Sequence, residues 1–420
     1  MNVSLAYGRG SLDVEFPDGR TSVIEPRLQT GLPDERAALE AALDAPTSAR
    51  PLRELISPER TICIVHTDIT RATPNERLIP WLLAYLEKAG AARDQIVLLN
   101  ALGTHRPNTR AELDEMLTPE VVDRYRCVNH EPENDAAHRQ FGVTSTGAPA
   151  LINRHFADAD IRIVTGFIEP HFFAGFSGGP KGIMPGVAAL RTVQSNHSAH
   201  HIGDPRAAFG RTEGNPLWEE MRDIALRVGS SFLINVTLNH GHQITGVFAG
   251  GLVEAHREGV EFVRRSVMQP QLEPYDLVVT TNSGYPLDMN LYQGVKGMRA
   301  ADLIVRDGGA IVLVAECAEG IPHGSPHDRL LRSTANPAEI LAKVAQPGFA
   351  WPEQWQSQIQ ALIQRRAEVH LYSSLSDADA RAAHLIPCRD IGQVIAQKLN
   401  GAGRVAVLPQ GPLTIPYLAP

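Results

Sequence analysis

Residues 61–88, TICIVHTDITRATPNERLIPWLLAYLEK, pass from a short apolar, β-branched run through a polar loop into a helical pattern. Thr61–His66 reads as a strand and Pro74–Lys88 as a helix, with Thr73-Pro74 as an N-cap followed by proline at the first helical position. The loop between them, HTDITRATP (His66–Pro74), then lies at the carboxyl end of a strand, where open α/β sheets carry ligand sites. Asp68, Thr70 and Arg71 are placed there to face a small molecule. Taken alone, the segment also reads as an aspartate N-cap and a surface arginine.

The same alternation recurs along the chain, with further candidate strands at Gln95–Leu99, Ile161–Thr165, Phe232–Leu238, Leu277–Thr281, Ala310–Ala315 and Val405–Leu408. Helical patterns fall at Thr109–Met116, Val187–His200, Pro216–Val228, Glu254–Ser266, Asn336–Val344, Glu353–Ala367 and Ile391–Leu399, with Asn215-Pro216 as a second cap-and-proline start. Strands alternating with helices predict an α/β chain with mostly parallel sheets covered by helices. The weakly periodic, proline-containing MQPQLEPY at Met268–Tyr275 marks a boundary between two α/β domains, 1–268 and 276–400. The apolar tail, 402–420, is expected to return to the first domain.

A chain of 420 residues, 43% hydrophobic and 20% charged, buries a large core without disulfides or structural metals. Its formal net charge of −8 argues against nucleic acid or an anionic membrane as the main partner. No apolar run reaches the roughly 18 residues needed to cross a bilayer. The opening MNVSLAYGRGSLDVEF lacks a basic region followed by an apolar stretch, so no secretory signal is expected. Cys63, Cys127, Cys317 and Cys388 are widely separated and read as reduced thiols of a cytoplasmic protein. Among the 39 basic residues only Lys88, Lys181, Lys296, Lys343 and Lys398 are lysine. Where a chain otherwise prefers arginine, a lysine in a glycine-rich segment points to an amine that a guanidinium cannot replace.

Four other segments carry candidate chemistry. NALGTHRP, Asn100–Pro107, follows a strand and projects His105 from a turn permitted by Gly103; a loop histidine suits proton transfer. FIEPHFFAGFSGGPKGIMPG, Phe167–Gly186, is a long loop shaped by glycines and prolines, with His171 and Lys181 near its ends. Its four phenylalanines imply that it packs inward, and its backbone N–H groups could cradle a phosphate. Within it GFSGG fits the G-x-S-x-G nucleophile elbow with Ser177 as nucleophile, but lacks the strand and helix that must flank that motif. QSNHSAHH, Gln194–His201, sets His197 and His201 at i,i+4 on one predicted helix, with His200 beside them; neutral imidazole suits nickel, copper, iron or zinc. NLYQGVKG, Asn290–Gly297, offers Tyr292, Gln293 and Lys296 as donors for a carboxylate.

Together these segments resemble the nickel-pincer lactate racemase family across nearly the whole chain. The resemblance rests on D-x-T-R (Asp68–Arg71), G-T-H-R-P (Gly103–Pro107), E-P-H-F-F-A-G-F-S-G-G-P-K (Glu169–Lys181), S-N-H (Ser195–His197) and Y-Q-G-x-K-G (Tyr292–Gly297). It implies two α/β domains with an active site in the cleft between them. It also implies a pyridinium mononucleotide cofactor whose two sulfur-bearing arms and ring carbon hold Ni2+. By resemblance Lys181 carries that cofactor as a thioamide, His197 completes the metal's coordination, and His105 and His171 are the acid/base pair. Arg71, Tyr292, Gln293 and Lys296 would hold the substrate, supported by Asp68, and Ser177, Gly178 and Gly179 would help hold the cofactor phosphate. The local change Ala72-Thr73 after Arg71 bears on substrate choice.

The residues suit that role physically. Racemising a 2-hydroxy acid by proton abstraction would create a carbanion beside a carboxylate, whereas hydride removal leaves a neutral 2-keto group when an electrophilic acceptor is present. One histidine on each face then serves the hydroxyl proton, each contributing ~10²–10⁴-fold. The expected partners are a small 2-hydroxy acid and the enzymes that synthesise the cofactor. The alternatives are a serine hydrolase using Ser177 and a non-catalytic two-lobed hydroxy-acid binding protein.

Overall fold

The computed structural model describes residues 1–401 and 403–419. Residues 61–88 form a strand, Ile62–Thr67, and a helix, Asn75–Lys88. The strand is buried from Ile62 to His66 because it lies inside a six-stranded sheet, between Ile96–Ala101 and Ile161–Phe167. Arg126–Asn129 lies beyond the first neighbour, and Phe232–Leu238 then Ile244–Gly251 beyond the second. Only the last pairing is antiparallel, so the carboxyl ends of five strands share one edge. The helix seats Leu78, Ile79, Leu82, Leu83 and Leu86 against this sheet. Their spacing is that of one helical face, and each contributes about 1.5–3 kcal/mol of transfer free energy.

The second sheet is wholly parallel and runs Ile386–Cys388, Glu368–Tyr372, Val305–Val314, Tyr275–Thr281, Val405–Leu408, Thr21–Val23. The chain is therefore α/β with mostly parallel sheets. One buried apolar cluster includes Val65, Ile168 and Phe173 of the first unit and Leu291, Val295 and Leu313 of the second, so the two share a core.

The divisions at 1–268 and 402–420 differ from this arrangement. The opening hairpin, Asn2–Tyr7 with Gly10–Glu15, packs Leu5, Val14 and Phe16 on Leu277, Val279 and Val312 of the second sheet. Thr21–Val23 extends that sheet beside Val405–Leu408, so the opening of the chain and most of the tail belong to the second unit. Alternating apolar residues need a complementary apolar face, and the second sheet supplies it. Ile415–Leu418 pairs with Met268–Gln271 at the boundary itself. Residues 402 and 420, the ends of the expected tail, lie outside the described residues.

Two helix starts differ in an informative way. Asn215 caps Pro216–Arg227 as expected, its Oδ1 accepting from Leu217 N and Trp218 N. Thr73 does not cap Asn75–Lys88: Pro74 holds the cap position, and Asn75 Nδ2 instead donates to Thr67 O at 3.0 Å, pinning the loop to the strand end. The predicted helix Val187–His200 breaks into Leu190–Asn196 and Ala199–Gly203, because Ser198 leaves the helical path and caps the second piece with its side chain.

Candidate functional site

Asp68 follows the central strand and is 2% exposed. Its Oδ1 accepts from Thr70 Oγ1 at 2.6 Å and its Oδ2 lies 2.6 Å from His105 Nδ1. Burial pushes the Asp68 carboxyl up, but the bond to His105 and the charges of His105 and Arg71 outweigh it and leave it below the usual carboxylate value. The His105 loop is held at its base by Asn100, which donates to Asn108 Oδ1 at 2.8 Å. It is tied to the long central loop by the bond from Gly103 N to Gly186 O at 2.9 Å.

The central loop folds inward, as its aromatics predict. Pro170–His171 pairs with Gly175–Phe176 in a tight antiparallel turn, with Phe172, Phe173, Ala174 and Phe176 all buried. Gly175 is required here: it has φ +82°, and a Cβ would lie 2.2 Å from Arg211 O. Ala174 N–H donates to His171 Nδ1 at 3.2 Å. Lys181 occupies a short 3₁₀ turn, Gly179–Gly182, and donates its backbone N–H to Gly178 O at 3.2 Å. The Phe173 ring joins three of the candidates: its centroid is 4.5 Å from His171, 5.2 Å from His197 and 5.7 Å from Lys181 Nζ.

Ser177 and its neighbours are spent on holding this loop. The Ser177 hydroxyl donates to Phe167 O at 3.0 Å and accepts from Glu169 N at 2.9 Å, while Gly179 N–H donates to Asn235 Oδ1 at 2.8 Å. The neighbouring His256 reaches the Ser177 carbonyl, at 2.9 Å, and not its hydroxyl. Among the described residues no base is hydrogen-bonded to the serine oxygen, and the flanking strand is two residues long, so the elbow geometry is not met.

Of the three clustered histidines only His197 faces the site. It terminates Leu190–Asn196, is 4% exposed, and carries a buried Nδ1 with no hydrogen-bond partner. The helix break removes the expected shared face. His200 is exposed, and His201 bonds Asn196 O through Nδ1 at 2.9 Å. Among the described residues no cluster of three His, Cys, Asp or Glu side chains is arranged to hold a metal ion. A metal here would need most of its donors from elsewhere.

The second unit completes the site through Leu291–Asp302, a helix capped by Asn290 Oδ1. Tyr292, Gln293 and Lys296 project from its first turns, and Gly297 allows it to press on the strand end, since a Cβ would lie 2.6 Å from Thr281 O. Gln293 Oε1 is buried without a partner. A strap that the motifs did not single out, Phe349–Trp355, closes over His197: the Trp355 ring lies 5.0 Å from the imidazole. The crevice there, lined by His197, Trp351, Gln354 and Trp355, has no room for a water molecule. The signal was present in the aromatic and proline content of FAWPEQW.

Electrostatics tie the remaining candidates together. Burial pulls Lys181 down to about 7, helped by Arg71 and opposed by Glu169. Lys296 falls to about 8 for the same reasons. His197 is lowered to about 3 by burial and Lys181. His171 is held well below the imidazole range by burial and by the cations Lys181, Arg71 and Lys296. Glu169, another residue without an assigned role, is raised by burial against the pull of Lys296, Arg71 and Lys181. Groups that perturb one another in this way share one locality, and such clusters mark functional sites.

Comparison with known proteins identifies the family of the chain. Residues 7–210 match the lactate racemase N-terminal domain and residues 271–415 the lactate racemase C-terminal domain. The chain is 32% identical to a lactate racemase of Thermoanaerobacterium thermosaccharolyticum over 421 residues, covering 98% of each. It is 35% identical to one from Lactiplantibacillus plantarum over 386 residues, covering 90% of each. The structure of the Thermoanaerobacterium thermosaccharolyticum lactate racemase apoprotein superimposes with a TM-score of 0.93 at 31% identity, over 99% of this chain and 100% of the other. A Thermotoga maritima protein shares the fold, with a TM-score of 0.70 at 19% identity, over 94% of this chain and 100% of the other.

Proposed function

Because this chain belongs to the lactate racemase family, we propose that it inverts the carbinol centre of a small 2-hydroxy acid through a nickel-pincer nucleotide tethered to Lys181. The observation that carries the reading is the Phe173 ring, which gathers the amine of Lys181 and the imidazoles of His171 and His197 around one aromatic face.

The residues fit such a cofactor. A tether needs a neutral amine, and Lys181 is held at about 7 in a partly buried turn. A metal ligand needs a neutral imidazole, and burial and the charge of Lys181 keep His197 neutral, lowered to about 3. When bound, the group supplies an electrophilic acceptor for the hydride of the substrate carbinol. Ser177 and Gly179 are assigned to the loop and not to the cofactor phosphate, because their polar groups are already paired.

The protein's own residues do the rest. Arg71 and Lys296 provide positive charge for the substrate carboxylate, in a site where burial strengthens the attraction. Gln293 can donate its side-chain N–H groups to the substrate oxygens, which leaves the hydroxyl proton to the histidines. His105 and His171 exchange the hydroxyl proton on the two faces of the substrate, and Asp68 balances the charge that His105 gains. The buried ring of Phe173 and the strap bearing Trp355 exclude water from the planar keto acid while it turns.

Chiral chromatography on a panel of 2-hydroxy acids tests the reading, with protein co-produced with the cofactor-synthesis enzymes. At least one acid should be driven to a racemic mixture, and Lys181→Ala should leave every enantiomer ratio unchanged. Loaded protein that alters none of the ratios is a binding protein, and the reading fails.

A further inference from the structure

The two candidate proton-transfer histidines are held by chemically opposite partners. We infer that their imidazoles rest in opposite tautomers: His105 with a free Nε2 able to accept a proton, and His171 with Nε2–H able only to donate. Their joint service to one substrate rests on the racemase reading; their tautomers do not.

A carboxylate has no proton to give. His105 Nδ1, at 2.6 Å from Asp68 Oδ2, must therefore carry the hydrogen, leaving Nε2 as a lone pair. A backbone amide is equally one-sided, because it can only donate. His171 Nδ1 receives the Ala174 N–H at 3.2 Å and must be bare, so the neutral ring keeps its proton on Nε2. Flipping the ring would turn a C–H towards that amide and lose the bond.

Both arrangements are enforced by packing. The His171 ring is stacked on Phe172 at 5.2 Å and meets the edge of Phe173 at 4.5 Å. Its donor, Ala174, is fully buried, and the next residue is Gly175, pressed against the Arg211 carbonyl. On the other side Asp68 is 2% exposed and fixed by Thr70 at 2.6 Å, whereas the His105 side chain is 41% exposed and open to solvent exchange.

A substrate hydroxyl facing His105 can give up its proton at once: the O–H bond breaks, its electron pair stays on oxygen, and Nε2–H forms beside the Asp68 carboxylate. A hydroxyl facing His171 meets a donor instead. It can lose its proton there only after the ring proton moves from Nε2 to Nδ1 and the bond from Ala174 breaks. Ala174 N–H and Asp68 are thus positioning groups that give the two faces of the site unlike resting states. Enantiomers have equal free energies in water, so their kcat/KM values are equal by necessity, and the asymmetry must be read from the rings.

Long-range proton–nitrogen correlation spectra of the full-length, cofactor-free protein, labelled with ¹⁵N-histidine and recorded at about pH 8, above the ordinary imidazole range, read it directly. His105→Gln and His171→Gln assign the two rings by loss of their signals. His171 should show a bare Nδ1 and a protonated Nε2, and His105 the reverse. In Asp68→Asn the new amide donates to His105 Nδ1, so the His105 pattern should invert while that of His171 stays. The same tautomer at both positions, or averaged nitrogen shifts at His171, overturns the inference. Since the spectra need no cofactor, a protein that racemises nothing could still pass this test, and an active racemase could fail it.

Discussion

Lys181 carries an amine that its surroundings hold largely neutral near physiological pH. Burial and the charge of Arg71 bring it to about 7. Its reactivity should follow: pulsed acylation followed by peptide mapping should show labelling of Lys181 rising with pH to a plateau just above about 7. Exposed lysines should keep rising towards their ordinary value of about 10.4. A Lys181 profile that matches the exposed lysines contradicts the environment described. This residue was legible in the sequence because four-fifths and more of the basic positions are arginine, so a lysine in a glycine-rich loop was conspicuous. Asp68, His105 and His171 were legible by motif, but the bonds that distinguish the two histidines were not. One comes from a backbone N–H three residues away and the other from a loop 37 residues earlier in the chain, and side-chain types reveal neither.

Among the elements, the turn His171–Gly175 tolerates little change. Gly175→Ala introduces a Cβ 2.2 Å from the Arg211 carbonyl at φ +82°, two penalties on one atom. It should cost at least about 2 kcal/mol in urea unfolding, and a change near zero would mean that the turn is free to move. The strap Phe349–Trp355 makes a different prediction. Trp355 is 7% exposed against His197, and Trp355→Ala should cost about 3–5 kcal/mol. It should also make His197 accessible to an imidazole-modifying reagent that spares it in the parent protein, as peptide mapping would report. Continued protection of His197 would show that another element covers it. The strands and the helix capped by Asn215 were readable from β-branched runs and an N-cap residue. The split after Asn196 was not, because Ser198 competes with the helix only through its own side-chain cap. The opening hairpin was missed for a related reason: its partner face lies more than 250 residues along the chain.

At the scale of the whole molecule, one mostly parallel and one wholly parallel sheet present the carboxyl ends of their parallel strands to one site. The first supplies Asp68, His105, His171, Lys181 and His197, and the second Tyr292, Gln293, Lys296 and Trp355. Neither unit is complete alone, and the shared apolar cluster that runs from Val65 to Leu313 keeps their faces together. The measurement that bears most directly on this account is the intact mass of protein made alongside the cofactor-synthesis enzymes, with peptide mapping and a nickel assay on the same sample. The account predicts an added mass confined to the peptide bearing Lys181, nickel in proportion to it, and loss of both in Lys181→Arg. Unmodified Lys181 and no nickel in protein prepared that way would contradict it.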